Sequence, residues 1–255
     1  MKIRFLGTGA ADWWDSDLER GVIGSQPWHE APGRRRLTST LFDGSLLIDG
    51  HRSALDMLPD GARVTDVFYT HSHSDHYDPA ALGRLAPVTA WAHESWAGEI
   101  DAPGAAVRPL RLFEKTEAAG FAVTPLPSNH STERPYETTL HFLLDTEGQR
   151  LLYATDGAWL LNAEMHALRG LELDGVVFDA TIGDAHPGDY RVFEHNSLDM
   201  VRLMCATMRK TGMLKASAPV FLTHLARTLH PDQAALEREN AAPFVICSDG
   251  LEAEI

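Results

Sequence analysis

The 255-residue sequence contains only two cysteines, Cys205 and Cys247. Two thiols cannot form the cross-links of a disulfide-stabilised fold or a zinc site made from four cysteines. Such a composition is typical of a reducing compartment, and we therefore expect the protein in the cytoplasm. A chain of this length can bury a large core without cross-links, and we expect one domain spanning residues 1–255.

Long apolar stretches are also missing from the sequence. No segment is long and apolar enough to predict a membrane-spanning helix, and the charged first residues, Met-Lys-Ile-Arg, are not followed by the continuous apolar core that an export signal requires. We therefore expect no membrane partner.

Basic residues are scarce, with 22 Lys and Arg against 36 Asp and Glu and a formal net charge of -14. Because phosphate backbones are bound mainly by Lys and Arg, this balance argues against an extended nucleic-acid partner. This balance bears much less on a small anionic substrate than on a long polyanion, because a small substrate meets only the charges of one cleft. Composition leaves the oligomeric state, including a homodimer, open.

Histidine, in contrast, is concentrated in one short segment, which also contains an aspartate. Residues 71–76 supply four candidate ligands, His71, His73, Asp75 and His76, after an apolar run over 64–70 that predicts a buried strand. Imidazole and carboxylate are common ligands of Zn, Mn and Fe. Since His71 and His73 share one side of an extended segment, they can bind one ion, and the residues after the turn can face a second.

This His-x-His-x-Asp-His pattern resembles the signature of the metallo-β-lactamase superfamily, and the resemblance extends over nearly the whole chain. In that family three further ligands follow later strands, and the matching positions here are His130, Asp156 and His224. The resemblance implies an α/β (α+β) fold, a four-layer αββα sandwich, with two divalent ions, Zn or Mn with Fe also allowed. It implies that one ion is bound by His71, His73 and His130, the other by Asp75, His76 and His224, and that Asp156 bridges them.

Within the superfamily, the sequence is most similar to the phosphoribosyl cyclic phosphodiesterases. The similar segments are Gly7-Thr8-Gly9, Arg35-Arg36, residues 123–130, the loop that contains His195 and residues 222–224. The similarity implies cleavage of a small cyclic or aryl phosphodiester by a hydroxide held between two metals. That branch carries a cysteine cluster in its first loop, whereas residues 10–36 contain none. A lactonase or thioesterase of the same fold, or a non-catalytic carrier, are the alternatives.

His195 is the candidate proton donor to the leaving group and joins Asp75 and Asp156 as a predicted catalytic residue. It precedes Ser197, the predicted N-cap of an amphipathic helix running to about Lys210. Because a helix N-terminus disfavours the imidazolium, we expect it to lower the pKa of His195. The alternative is a hydrogen-bonded histidine that only orients its neighbours.

The remaining signals have structural interpretations. We interpret His93 and His141 as structural, His166 as a surface residue and Asp49 as an acceptor for turn amides. The Trp- and Arg-containing loop over 10–36 either forms one wall of a substrate pocket or packs on a sheet edge.

Turn dipeptides predict three hairpins, at Asp43-Gly44, Glu147-Gly148 and Asp249-Gly250. The last of these is expected to join strands over 244–247 and 251–255.

Overall fold

The structure is a computed structural model that describes residues 1–13, 22–23, 26–27, 33–240 and 242–255. The strands in these residues are β1 (Lys2–Gly7), β2 (Val22–Ile23), β3 (Gln26–Pro27), β4 (Ser39–Phe42), β5 (Leu46–Ile48), β6 (Asp66–Phe68), β7 (Thr89–His93), β8 (Ala106–Leu110), β9 (Thr116–Ala118), β10 (Phe121–Pro127), β11 (Leu140–Thr146), β12 (Gln149–Ala154), β13 (Gly175–Asp179), β14 (Val220–Thr223), β15 (Phe244–Ile246) and β16 (Glu252–Glu254). The α-helices are α1 (Arg52–Leu55), α2 (Pro79–Leu85), α3 (Asn162–Leu168), α4 (Leu198–Lys210) and α5 (Gln233–Glu239). Short 3-10 turns lie at Ala11–Trp13, Ala97–Glu99 and Tyr190–Phe193.

Two mixed seven-stranded sheets form the centre of the molecule. Their strand orders are β16-β1-β4-β5-β6-β7-β8 and β15-β14-β13-β12-β11-β10-β9. In each sheet an antiparallel part continues into a parallel part, β5 to β8 in one sheet and β12 to β15 in the other. None of the described helices has the length and apolarity to cross a bilayer.

Both faces of the sheets are apolar, because successive side chains of a strand point to opposite faces. In β13, Val177 packs between the two sheets, whereas Val176 and Phe178 pack with residues of the helices on the outer face. In β6, Phe68 faces the other sheet and Val67 packs with residues of α1 and α2. The layers are therefore helix, sheet, sheet and helix, and the predicted αββα sandwich is confirmed.

Local sequence signals place two helix starts correctly. The carboxylate of Asp78 accepts a hydrogen bond from Ala80 N at the start of α2, where Pro79 is the first helical residue. The hydroxyl of Ser197 accepts one from Met200 N at the start of α4. Such caps satisfy amides that have no partner within the helix.

Two of the three predicted hairpins are confirmed and one is wrong. Asp43-Gly44 joins β4 to β5 and Glu147-Gly148 joins β11 to β12, each pair antiparallel. The segment around Asp249-Gly250 instead crosses between the sheets, because β15 pairs with β14 and β16 pairs with β1. A dipeptide specifies only the tight turn. The pairing of the strands on either side depends on which other strands lie next to them in the fold.

Candidate metal centre

The candidate ligands lie where strands end, at one edge of the sandwich. Residues 71–76 follow β6, His130 follows β10, Asp156 follows β12 and His224 follows β14. Because the carboxyl ends of neighbouring parallel strands meet at the same edge of a sheet, distant parts of the chain converge here. The structure brings all seven predicted ligands together.

Three residues that follow strands at this edge have left-handed backbones. Asp49, Asp156 and His224 have φ values of 55°, 55° and 56°. A residue other than glycine held in this region costs about 1–3 kcal/mol. The surrounding structure must therefore hold these residues in place, and such strain is typical of functional sites.

The first donor group consists of His71, His73 and His130. Nδ1 of His73 lies 2.9 Å from Nε2 of His71 and 3.2 Å from Nε2 of His130. Two nitrogens bound to one tetrahedral zinc lie about 3.3 Å apart, given Zn–N bonds of about 2.0–2.1 Å. Burial, together with His76 and His130, lowers the pKa of His71 well below its ordinary value. A neutral imidazole is the form that binds a metal.

The second donor group consists of Asp75, His76, Asp156 and His224, all of them buried. Nε2 of His76 lies 2.5 Å from Oδ2 of Asp156 and 3.3 Å from Oδ2 of Asp75. Nε2 of His224 lies 3.0 Å from Oδ1 of Asp156. Oδ2 of Asp156 also lies 3.6 Å from Nε2 of His71 in the first group, so this carboxylate stands between the two groups.

Three buried atoms of the second group have no hydrogen-bond partner among the described residues, and a bound cation would supply one. His76 Nε2, Asp156 Oδ1 and His224 Nε2 make no hydrogen bond to any part of the chain that the structure describes. Buried polar atoms almost always have a partner, and a divalent ion is one that carboxylate oxygens and imidazole nitrogens can share. This donor chemistry suits Zn, Mn or Fe.

The carboxylates of the second group are held in their ionised form. Burial opposes their charge, but the neighbouring His76 and His224 lower the pKa values of Asp75 and Asp156 well below the ordinary value. Burial also disfavours the imidazolium of His76, yet Asp156, Asp75 and Asp49 raise its pKa well above the ordinary value. A proton and a cation therefore compete for this imidazole.

Asp49 and Thr70 orient two of the histidines. Oδ2 of Asp49 lies 2.7 Å from Nδ1 of His76, and both its oxygens accept from the Thr70 hydroxyl. That hydroxyl lies 2.9 Å from Nδ1 of His71. His76 and His71 thus use Nδ1 for these supporting contacts, and their Nε2 atoms face the centre. Asp49 does accept the turn amide of Thr70, as predicted, and its role toward His76 is an addition.

We expect Asp49→Asn to weaken metal binding by about 10–100-fold, the effect typical of an outer partner of a ligating histidine. The amide cannot hold His76 with the strength of a carboxylate. Titration of the metal-free variant with Zn²⁺ in the presence of a competing chelator measures the effect. An unchanged affinity would show that His76 does not depend on Asp49.

Asp179 and Thr181 form a matching support on the other sheet, and sequence reasoning missed it. The Thr181 hydroxyl donates to Oδ1 of Asp179 (2.6 Å) and lies 2.8 Å from Nδ1 of His224. Oδ2 of Asp179 lies 2.8 Å from Nδ1 of His195. An aspartate at the end of the otherwise apolar strand β13 was the available signal, because an isolated charge there requires a partner.

His195 lies beside the centre. Its Nδ1 is 3.3 Å from Oδ1 of Asp156, and donor atoms of Asp156, Asp179, His195 and His224 form a further group that could hold an ion. The expectation of a lowered pKa is wrong in direction. Burial disfavours the imidazolium, but Asp179 and Asp156 raise the pKa of His195 well above its ordinary value. Two carboxylates in contact outweigh the partial charge of a helix terminus.

A cavity of about 220 Å³ opens over the centre. Besides the candidate ligands and His195, its lining includes Asp12, Arg191 and Glu194. Among the described lining residues, Arg191 is the one that carries a guanidinium or ammonium group. Its Nε and Nη2 lie 2.8 and 3.2 Å from the Asp189 carboxylate, which fixes the side chain in place.

The histidines interpreted as structural lie apart from these donor groups. His141 pairs through Nδ1 with Oε1 of Glu164 at 2.6 Å, and both side chains are fully buried. Nδ1 of His93 lies 2.9 Å from the Ser95 hydroxyl, and His166 is on helix α3. His93 and His141 are buried and outside the donor groups, and His166 is exposed, as expected for a surface residue.

The early loop is described only in part, and Trp14, Trp28 and His29 lie outside the described residues. Trp13 donates from Nε1 to the carbonyl of Leu225, next to His224, at 2.9 Å. Arg35 is 6% exposed and donates to the Thr8 hydroxyl at 2.6 Å. Trp13 and Arg35 therefore pack against the sheet edge.

The profile of the family described as "Beta-lactamase superfamily domain" matches residues 34–224. Comparison with curated proteins gave no match. Among solved structures, a "New Diphosphatase from the PhnP Family" is 22% identical with a TM-score of 0.69, over 99% of this chain and 96% of that one. The short form of human tRNase Z is 18% identical with a TM-score of 0.67, over 100% and 99%. Zn(2+)-bound PqqB from Methylobacterium extorquens is 18% identical with a TM-score of 0.65, over 100% of both chains.

These structural likenesses show the fold. The matched profile covers well over half of the chain and includes every residue of the two donor groups. This chain therefore belongs to the beta-lactamase superfamily and has the metallo-β-lactamase fold of metal-dependent hydrolases.

Proposed function

We propose that the protein is a binuclear metal-dependent phosphodiesterase that cleaves a small cyclic or aryl phosphodiester. The observation that carries this proposal is the position of Asp156 between two donor groups. Its Oδ2 lies within 3.6 Å of His71 Nε2 and within 2.5 Å of His76 Nε2. A carboxylate shared in this way is what two neighbouring ions need in order to be held at a fixed separation.

The ligand assignment follows the two groups. His71, His73 and His130 would hold one ion, Asp75, His76 and His224 the other, and Asp156 would bridge them. When bound, two divalent ions supply Lewis acidity toward the phosphoryl oxygens and lower the pKa of water. Asp49 and Asp179 keep the imidazoles facing the centre through their contacts with Nδ1 of His76 and, by way of Thr181, of His224.

His195 supplies the proton that the leaving alkoxide requires. Its Nδ1 is engaged by Asp179, which leaves Nε2 for the substrate in the cavity that His195 lines. Burial disfavours the imidazolium of His195, but Asp179, which is not one of the proposed metal ligands, raises its pKa and so favours the protonated form that a proton donor needs. A positioned acid of this kind contributes about 10²–10⁴-fold to a rate.

The cavity supports a small anionic substrate. A volume of about 220 Å³ suits a compact ester. The guanidinium of Arg191 offers a charge-assisted hydrogen bond to an anion beside the metal-binding residues. The likeness to a diphosphatase of the PhnP family agrees with phosphoryl chemistry.

We expect Arg191→Gln to raise KM for a phosphodiester by about 10-fold with a smaller change in kcat, because loss of one charge-assisted contact of about 1.5 kcal/mol corresponds to that factor. Steady-state kinetics measures the split. Arg202→Gln is the control, since Arg202 pairs with Asp184 and Asp199 on the surface. If kcat fell and KM held, Arg191 would not be a substrate-binding residue.

One experiment tests the proposed function as a whole. Metal content of freshly purified protein is measured, and hydrolysis of bis(p-nitrophenyl) phosphate is compared with hydrolysis of a lactone, a thioester and a carboxylate ester. We expect about two divalent ions per chain and a clear preference for the phosphodiester. Preference for a carboxyl substrate would point to a lactonase or thioesterase, and two bound ions without any turnover would point to a carrier.

A further inference from the structure

The backbone that directly follows Asp156 is held from both sides by two asparagines. Asn129 immediately precedes His130, and Asn196 immediately follows His195. The two segments read Ser-Asn-His and His-Asn-Ser, so each asparagine lies next to a histidine of the site. The metal and proton-transfer assignments proposed above leave both asparagines without a role.

Each asparagine makes two hydrogen bonds to residues 157–159. Nδ2 of Asn129 donates to the Ala158 carbonyl at 2.9 Å, and Ala158 N donates to the Asn129 carbonyl at 3.2 Å. Nδ2 of Asn196 donates to the Gly157 carbonyl at 2.8 Å, and Trp159 N donates to Oδ1 of Asn196 at 2.8 Å. Asn196 is 1% exposed, so water cannot easily replace these bonds. We call this arrangement the asparagine clamp.

The clamp holds a segment that has little freedom to move. Asp156 has a left-handed φ of 55°, and a Cβ at Gly157 would lie 2.6 Å from Nε2 of His141. Glycine is therefore required for the chain to pass His141 at this point. Four hydrogen bonds then fix the backbone of residues 157–159, which follow Asp156. A strained residue keeps its conformation only when its surroundings over-determine it.

We propose that Asn129 and Asn196 are positioning residues that set the bridging carboxylate of Asp156 relative to His130 and His195. The clamp connects three chain segments that each supply one group to the centre: a ligand of the first ion, the bridging aspartate and the proton donor. This inference rests on the proposed function, because it assigns the asparagines to the same metal centre.

The test is Zn²⁺ affinity of the metal-free full-length protein, measured by titration against a competing chelator. We expect Asn196→Ala and Asn129→Ala each to bind Zn²⁺ about 10–100-fold more weakly, the effect typical of residues that orient ligands. Asn196→Asp can still accept from Trp159 N, but its second carboxylate oxygen would face the Gly157 carbonyl in a buried site, and we expect a loss at least as large. Asn129 is less buried than Asn196, so Asn129→Ala serves if the Asn196 variants do not fold.

Asn240→Ala is the matched control. Asn240 is 6% exposed and donates from Nδ2 to the Leu236 carbonyl at the end of α5, away from the donor groups. We expect it to lower the Tm while Zn²⁺ affinity is unchanged. The proposal is overturned if the clamp variants lower the Tm to the same extent and bind Zn²⁺ as the wild type does. The readout for the clamp is metal affinity. A wild type that binds Zn²⁺ but cleaves no phosphodiester would refute the proposed function, whereas the Zn²⁺ affinities of the variants would still test the clamp.

Discussion

Asp156→Asn is expected to abolish hydrolysis, with kcat lower by about 10³-fold or more, because losing a bridging ligand must exceed the 10–100-fold loss that an outer partner causes. The amide has the size of the carboxylate but no charge and only one acceptor oxygen. It cannot serve both donor groups, and it no longer offsets the charge of two cations. His76 and His224 also lose the carboxylate that lies 2.5 and 3.0 Å from their Nε2 atoms.

Metal analysis and steady-state kinetics check this prediction together. We expect fewer than two ions per chain in Asp156→Asn and full occupancy in the control Asp249→Asn. Asp249 is also largely enclosed, but it accepts from the Thr8 hydroxyl and from Arg36 N outside the donor groups. An Asp156→Asn variant with two tightly bound ions and normal turnover would eliminate the bridging role and the mechanism that depends on it.

His195→Ala is expected to keep both ions and to lose about 10²–10⁴-fold in kcat on substrates whose leaving group is an alkoxide. An alkoxide needs a proton as the P–O bond breaks, whereas nitrophenolate leaves without one. The loss should therefore be much smaller with bis(p-nitrophenyl) phosphate than with a 2′,3′-cyclic nucleotide. This dependence on the leaving group distinguishes a proton donor from a residue that only supports Asp179.

The comparison uses both substrates with wild type, His195→Ala and His186→Ala. His186 lies in the same loop and is exposed, so its replacement should leave both rates unchanged. Equal losses on the two substrates would contradict proton donation by His195. They would favour the alternative in which it only orients its neighbours.

The family resemblance carried by the His-x-His-x-Asp-His pattern predicted the layers of the fold and the convergence of seven side chains, and the structure has both. A buried strand followed by a polar turn is visible in consecutive residues, as for His224 after β14. The roles of Asp49 and Asp179 were not predictable in this way. Each acts through a hydrogen bond to a histidine that is distant in sequence, and a single aspartate at a strand end has many structural interpretations.

The two predictions that are wrong have the same origin. The position of His195 before a helix predicts a lowered pKa, but Asp179 and Asp156 come to it from other strands and reverse the direction. The turn propensity of Asp249-Gly250 predicts a hairpin, but the strands around it pair with different sheets. In both cases a local effect of modest size was outweighed by contacts that only the folded chain makes.

The sequence by itself determined where strands end in polar residues, which helices are capped, and that the ligand types suit divalent metal ions. These properties follow from side-chain period, turn chemistry and donor chemistry, which act over a few residues. Only the tertiary structure decided that Asp156 stands between two donor groups, which nitrogen of each histidine faces the centre, and that two asparagines enclose the exit from Asp156. Those features depend on distances of about 3 Å between atoms on separate strands, and hydrogen bonds and metal ligation act only at that range.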